Sequence, residues 1–122
     1  MIAILMKTRE SALGPLNYNE GKINKGLAEA LATRNIENDR LSIEMAFEKL
    51  RRGSRGGAKR ISFQLMFCPG EKDNISDDQM LEIIDAVMYS IGMDKQPYVI
   101  YKHPTESHLN YRVVSTMINA DG

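Results

Sequence analysis

Apolar side chains occupy every second position between Lys59 and Cys68, and this alternation constrains the fold more than any other feature of the chain. A period of two is typical of a β-strand with one face packed against a core. Pro69 and Gly70 follow directly and end the predicted strand. The core-facing residues of this strand are predicted to be Ile61, Phe63, Leu65 and Phe67.

A helix is predicted to begin soon after this strand. Ser76 and Gln79 have the spacing of a capping box, and Asp77 and Asp78 place negative charge in the first turn. Gly92 is suited to end the helix. One apolar stripe runs along the segment: Met80, Ile83, Ile84, Val87, Met88 and Ile91.

Less regular patterns predict the secondary structure of the other segments. We predict strands at Met1–Lys7, Tyr98–Lys102 and Leu109–Ile118, helices at Lys22–Thr33 and Leu41–Arg52, and a loop at Ser11–Asn19. The last two strands are joined by a short polar loop, so they should be antiparallel. We therefore expect an α+β fold, ferredoxin-like, with a mostly antiparallel sheet and helices packed on one face.

The composition predicts one globular domain over residues 1–122. Lys plus Arg and Asp plus Glu number 16 each, so a polyanion would have to bind a local cluster of positive charge. The single cysteine, Cys68, excludes an internal disulfide and a cysteine-rich zinc site, and we expect it to be a buried thiol. The chain has no apolar run of about 20 residues and no secretory leader pattern, so we expect a cytoplasmic location without membrane contact.

The C-terminal segment YVIYKHPTESHLNYRVVS resembles the motif of relaxases, the mobilisation nucleases of the HUH endonuclease class found in plasmids and mobilisable transposons. In that family a strand ends in His, and the next strand carries a His-hydrophobic-His pair. Two side chains at positions i and i+2 of a strand share a face, so they can bind one ion. The resemblance implies the relaxase palm fold of the N-terminal nuclease domain, with a longer C-terminal region beyond this chain. It also implies a divalent ion, Mg²⁺ or Mn²⁺, and single-stranded DNA at a transfer origin as partner, with other mobilisation proteins as further partners.

The resemblance places His103 at the first metal position and Asn110 and Arg112 at the His-hydrophobic-His pair. Arg is always protonated and cannot be a metal ligand. Arg112 could instead bind a phosphate directly, with Asn110 beside it, which would keep DNA affinity and forfeit metal-dependent cleavage. Two alternatives stay open: a different ligand set of His103, Glu106 and His108, or two ordinary exposed loop histidines.

Tyr18, in the segment ALGPLNYNEGKINKG, stands where the family has its nucleophilic tyrosine. The resemblance implies that this phenol attacks a DNA phosphodiester and stays linked to the 5′ end. A phenol suits this role because a nearby cation can activate it and it can leave again. The alternative is a tyrosine that packs its ring at the edge of a loop.

Residues 51–60 form a basic, glycine-rich segment. Its five basic residues could bind a phosphate backbone: Arg51, Arg52, Arg55, Lys59 and Arg60. Basic loops are also often merely solvated.

Three hypotheses follow from these observations. The first is a relaxase that nicks origin DNA through Tyr18. The second is a DNA-binding accessory module that has lost metal-dependent cleavage because Asn110 and Arg112 replace the metal ligands. The third is an unrelated ferredoxin-like interaction domain without DNA affinity.

Overall fold

The computed structural model describes residues 2–6, 14–37, 40–52, 62–70, 73–104 and 108–116. These form five strands and three helices in the order β1 Ile2–Leu5, α1 Gly14–Asn24, β2 Glu29–Arg34, α2 Arg40–Arg52, β3 Ser62–Cys68, α3 Asp77–Ser90, β4 Tyr98–His103 and β5 Asn110–Thr116. The strands build one antiparallel sheet in the order β1-β3-β5-β4-β2. The predicted α+β class and the antiparallel sheet are confirmed. Within the described residues, no helix is long and apolar enough to cross a bilayer.

The two faces of the sheet carry separate apolar clusters, because side chains alternate along each strand. One face, the α3 face, packs Phe63, Leu65, Phe67, Tyr98, Ile100, Tyr111 and Val113 against Met80, Ile84 and Met88 of α3. The other, the α1 face, packs Val99, Tyr101 and Val114 against Leu16 of α1 and Ile43 and Phe47 of α2. The helices therefore cover both faces, and the expectation that they pack on one face was wrong. The cause lies in the central strands: the apolar run Tyr98–Tyr101 does not alternate with polar residues and needs cover on both sides.

The segment between residues 11 and 34 differs from the prediction. In the predicted loop Ser11–Asn19, residues 14–19 belong to helix α1, and residues 11–13 lie outside the described residues. The second half of the predicted helix Lys22–Thr33 is strand β2. Pro15 is compatible with helix here because it stands in the first turn, where its missing N–H is not needed. Gly26 then adopts φ 73°, a left-handed conformation that suits glycine and ends the helix. β2 gains its backbone hydrogen bonds from β4, a partner that is distant in sequence.

The other elements agree with the sequence patterns. Both hydrogen bonds of the predicted capping box are present at Ser76, and Gly92 follows α3 with φ 77°. The helix predicted at Leu41–Arg52 is α2. Cys68, expected to be buried, is a partly buried free thiol at the end of β3.

Two carboxylates of α3 fasten this helix to the sheet. The Tyr111 hydroxyl donates to Asp77 at 2.7 Å, and Lys102 forms an ion pair with the same carboxylate at 3.0 Å. Two turns later, Asp85 accepts from the Tyr98 hydroxyl at 2.6 Å and pairs with Arg34 at 3.1 Å. The hydrogen bond from Tyr111, followed by that from Lys102, lowers the pKa of Asp77 below its ordinary value. Burial, together with the neighbouring carboxylate, raises the pKa of Tyr111.

We expect Tyr111→Phe to lower the free energy of unfolding by roughly 1–2 kcal/mol at neutral pH, because a part-buried hydrogen bond to a charged group is lost. A lowered folded pKa means that Asp77 stabilises the fold above its unfolded pKa of about 3.9, and that this contribution is lost as the pH falls through the folded value. The cost of Tyr111→Phe should therefore shrink at acid pH. Urea unfolding at pH 7 and pH 3 measures both effects. Tyr89→Phe on the exposed side of α3 is the control, and an equal loss from the two variants would contradict the assignment.

Candidate functional site

Helix α1 is attached to the sheet by a few side chains on one side of the helix. Leu16 is fully buried in the α1-face cluster, and Asn19 is buried one turn later. The Tyr101 hydroxyl of β4 donates to the carboxylate of Glu20 at 3.2 Å. These contacts determine where the remaining side chains of α1 lie.

Tyr18 lies at the side of α1, with half of its surface (50%) exposed. Lys22 follows one turn later on the same side of the helix, and its Nζ is 5.6 Å from the centre of the Tyr18 ring. Arg112 of β5 approaches the same ring, with its Cζ 5.4 Å from the centre. Both distances are those of cation–π contacts. The structure thus brings the predicted nucleophile next to one of the predicted metal-position residues, with two cations close to its ring.

The three residues at the predicted metal positions are also neighbours. His103 and Asn110 face each other across the β4–β5 ladder, and Arg112 lies two residues further on the same face. The Arg112 Nε donates to the Asn110 Oδ1 at 3.0 Å. All three are buried; Arg112 is 6% exposed. His103 therefore lies beside the positions on β5 where the resemblance implies two metal-binding histidines. At one of these positions the chain has the guanidinium group of Arg112 in place of an imidazole.

A buried hydrogen-bond network links His103 to α1 and β3. The His103 Nε2 lies 2.6 Å from the Asn19 Oδ1. The Asn19 side-chain amide donates to the Pro15 carbonyl at 2.7 Å and to the Gln64 Oε1 at 2.9 Å, and the Gln64 amide donates to the Met6 Sδ at 3.1 Å. Sequence reasoning missed Asn19, Gln64 and Met6. Gln64, a long hydrogen-bonding side chain on the second face of the predicted strand, was the available signal.

The donor set around His103 does not fit a divalent ion. Arg112 carries a permanent positive charge, Asn110 already accepts from it, and His103 is bound to Asn19. Among the described residues, no group of three or more His, Cys, Asp or Glu side chains lies close enough to hold a metal.

The structure places the two histidines in different surroundings. His103 ends β4 and is fully buried, so its interpretation as an exposed loop histidine was wrong. His108 is exposed, and its backbone carbonyl accepts from Asn110 at 3.1 Å. Glu106, the third member of the alternative ligand set, lies outside the described residues.

The predicted basic segment is only partly covered by the structure. Arg51 and Arg52 belong to the last turn of α2, but their side chains lie outside the described part. Arg55, Lys59 and Arg60 lie outside the described residues altogether.

Comparison with known proteins identifies the family of this chain. A family model described as "Relaxase: MobA/VirD2-like, nuclease domain" matches residues 18–122, a range that begins at Tyr18 and includes His103, Asn110 and Arg112. Searches of curated proteins and of solved structures gave no match. Because the family model covers most of the chain, the chain belongs to the MobA/VirD2-like relaxases and corresponds to their nuclease domain.

Proposed function

We propose that this domain binds single-stranded DNA of a transfer origin beside Tyr18 and nicks it by attack of the Tyr18 hydroxyl on a phosphodiester. One observation carries the proposal: Tyr18 is half exposed, and Lys22 and Arg112 both lie within cation–π distance of its ring. Membership of the relaxase family is incompatible with the third hypothesis, an unrelated interaction domain.

Charge and shape at Tyr18 suit a single strand. The chain has no net charge, so DNA affinity has to come from a local concentration of cations such as this one. Two cations within 6 Å of the ring would attract a phosphate, and the exposed part of the ring offers a surface on which a base can stack. We infer that the basic segment of residues 51–60 extends this contact along the phosphate backbone.

The proposed reaction exchanges one phosphodiester for another. The Tyr18 oxygen forms a bond to phosphorus while the bond between phosphorus and the 3′ oxygen breaks. The phenol proton is released to solvent and a proton is taken up by the departing 3′ oxygen. The products are a free 3′ hydroxyl and a 5′ phosphate linked to Tyr18, and no oxidant or external energy source is required.

Relaxases are generally metal-dependent, but the residues described here do not fit a metal. We therefore assign the stabilisation of phosphate charge to the chain's own cations. The Arg112 guanidinium is held by Asn110 and suits the planar geometry of two phosphate oxygens. Lys22 adds a second, more mobile positive charge.

Binding without cleavage is a second candidate function, and one observation favours it. The buried guanidinium of Arg112 stands at a position where the resemblance implies a metal-binding histidine. Such a module would keep its affinity for single strands and take part in mobilisation as an accessory of other mobilisation proteins, in the cytoplasm.

Lys22→Gln tests the binding part of the proposal. We expect affinity for a labelled single-stranded oligonucleotide pool to fall roughly tenfold at moderate salt, and the slope of log affinity against log salt to decrease by about one. Fluorescence anisotropy at several salt concentrations measures both. Lys95→Gln removes the same charge from an exposed residue just before the far end of β4 and is the matched control. Affinity that does not weaken with salt, or equal losses from both variants, would contradict the proposed site.

A further inference from the structure

We propose that His103 is a positioning residue: its Nε2 carries a proton, donates it in a hydrogen bond to Asn19, and thereby holds α1 and Tyr18 against the sheet. The inference deepens the proposed function, since it concerns the same site. It assigns to His103 a role other than that of the metal ligand which the family resemblance implies.

The direction of the buried network supports this proton assignment. A peptide carbonyl can only accept, so the atom of Asn19 that lies 2.7 Å from the Pro15 carbonyl must be the amide nitrogen. The Asn19 Oδ1 consequently faces His103, and an amide oxygen also can only accept. The atom that donates across the 2.6 Å contact is therefore the His103 Nε2.

The hydrogen bonds at the Gln64 end of the network support the same direction. The Met6 thioether sulfur is an acceptor, so the nitrogen of the Gln64 amide faces it and the Gln64 oxygen faces Asn19. In this network each hydrogen bond therefore has a defined direction: His103 donates to Asn19, Asn19 donates to Gln64, and Gln64 donates to Met6. The orientation of each group follows from acceptors at two ends, Pro15 and Met6, that cannot reverse their roles.

Protonation of Nε2 has a direct chemical consequence. A ring nitrogen that carries a proton has no lone pair for a metal ion, so the His103 Nε2 cannot be a ligand while this hydrogen bond is intact. The Nδ1 of the same ring is buried as well.

The hydrogen bond also connects His103 to the position of Tyr18. Asn19 is the next residue along α1, and it is the polar residue of this helix that reaches deepest, with no exposed surface. Loss of the His103 contact would leave α1 attached through Leu16, the Asn19–Gln64 hydrogen bond to β3 and the longer Tyr101–Glu20 hydrogen bond. Because Asn19 would then have lost its hydrogen bond to β4, we expect the Tyr18 ring to shift relative to Arg112.

The chain has two histidines, which makes a direct NMR test possible without any substitution. In ¹⁵N-labelled protein we expect the His103 ring to show a protonated Nε2 with a slowly exchanging hydrogen, and we expect His108, which is exposed, to serve as internal reference. When Mn²⁺ is added, we expect the His103 signals to stay sharp at every concentration at which the His108 signals stay sharp. A proton on Nδ1 alone, or selective broadening of His103, would overturn the proposal. Neither result depends on DNA binding. The proton assignment can therefore be wrong while the proposed function is correct, and it can be correct while the proposed function is wrong.

Two substitutions test the positioning role. His103→Leu removes the donor, and His103→Gln retains an N–H that can reach an amide oxygen. In protein with ¹³C-labelled tyrosine, we expect the ring signals of Tyr18, identified with Tyr18→Phe, to shift in His103→Leu and to stay near their wild-type positions in His103→Gln. Affinity for the single-stranded pool should fall about tenfold in the first variant and less than threefold in the second. Equal effects of both substitutions on the Tyr18 signals would contradict a role that depends on the donated proton.

Discussion

Tyr18→Phe is expected to abolish the covalent protein–DNA adduct, with at least a thousandfold loss in the rate of its formation, while affinity for single strands changes by less than about threefold. The substitution removes the attacking oxygen and leaves the ring, which can still contact Lys22 and Arg112 and stack on a base. Incubation with an end-labelled single-stranded pool, followed by a denaturing gel, detects the adduct. Anisotropy measures affinity in the same samples.

Tyr89→Phe is the matched control, since Tyr89 is an exposed tyrosine on α3 and lies on the other side of the sheet. An adduct that persists in Tyr18→Phe would exclude Tyr18 as nucleophile. Wild-type protein that binds the pool and forms no adduct would favour the second candidate, a binding module without cleavage. The experiment is done with and without chelator, because the proposed chemistry uses Arg112 and Lys22 and predicts that chelation changes neither binding nor adduct formation.

Substitution of both Asn110 and Arg112 by histidine is expected to create a metal site where the side chains described in the structure do not fit an ion. Residues 110 and 112 share one face of β5, so two imidazoles there can bind a single ion, with His103 adjacent on β4. At an ion concentration about 100 times the dissociation constant, binding would stabilise the fold by about 2.7 kcal/mol. For a domain of this size, that corresponds to a rise in melting temperature on the order of 10 °C.

Differential scanning fluorimetry with Mn²⁺ and Zn²⁺ measures this shift. We expect none for the natural chain, because the Arg112 guanidinium repels a cation and the His103 Nε2 is bound to Asn19. Asn110→Gln with Arg112→Gln is the control, since it removes the positive charge without adding imidazoles. A shift in the natural chain would show that a metal binds despite Arg112, and an equal shift in the glutamine control would show that charge removal alone explains the effect.

Local patterns in the sequence were sufficient for most elements. Alternation at Phe63 and Phe67 predicted β3, and the serine cap with its apolar stripe predicted α3, because the side-chain periods of strand and helix are properties of a few consecutive residues. The resemblance to the relaxase family implied that Tyr18, His103 and Arg112 belong to one site. The folded chain brings these three residues close together.

The tertiary structure decided what depends on partners distant in sequence. Residues 29–34 form a strand because β4 offers hydrogen bonds at that edge of the sheet, and no local pattern carries this information. Helices cover both faces because the central strands are apolar on both. The burial of His103, and the direction of its hydrogen bond to Asn19, follow from the packing of α1 on the sheet. A sequence motif specifies which side chains are present, whereas the acceptors that surround a histidine specify which of its nitrogens holds the proton.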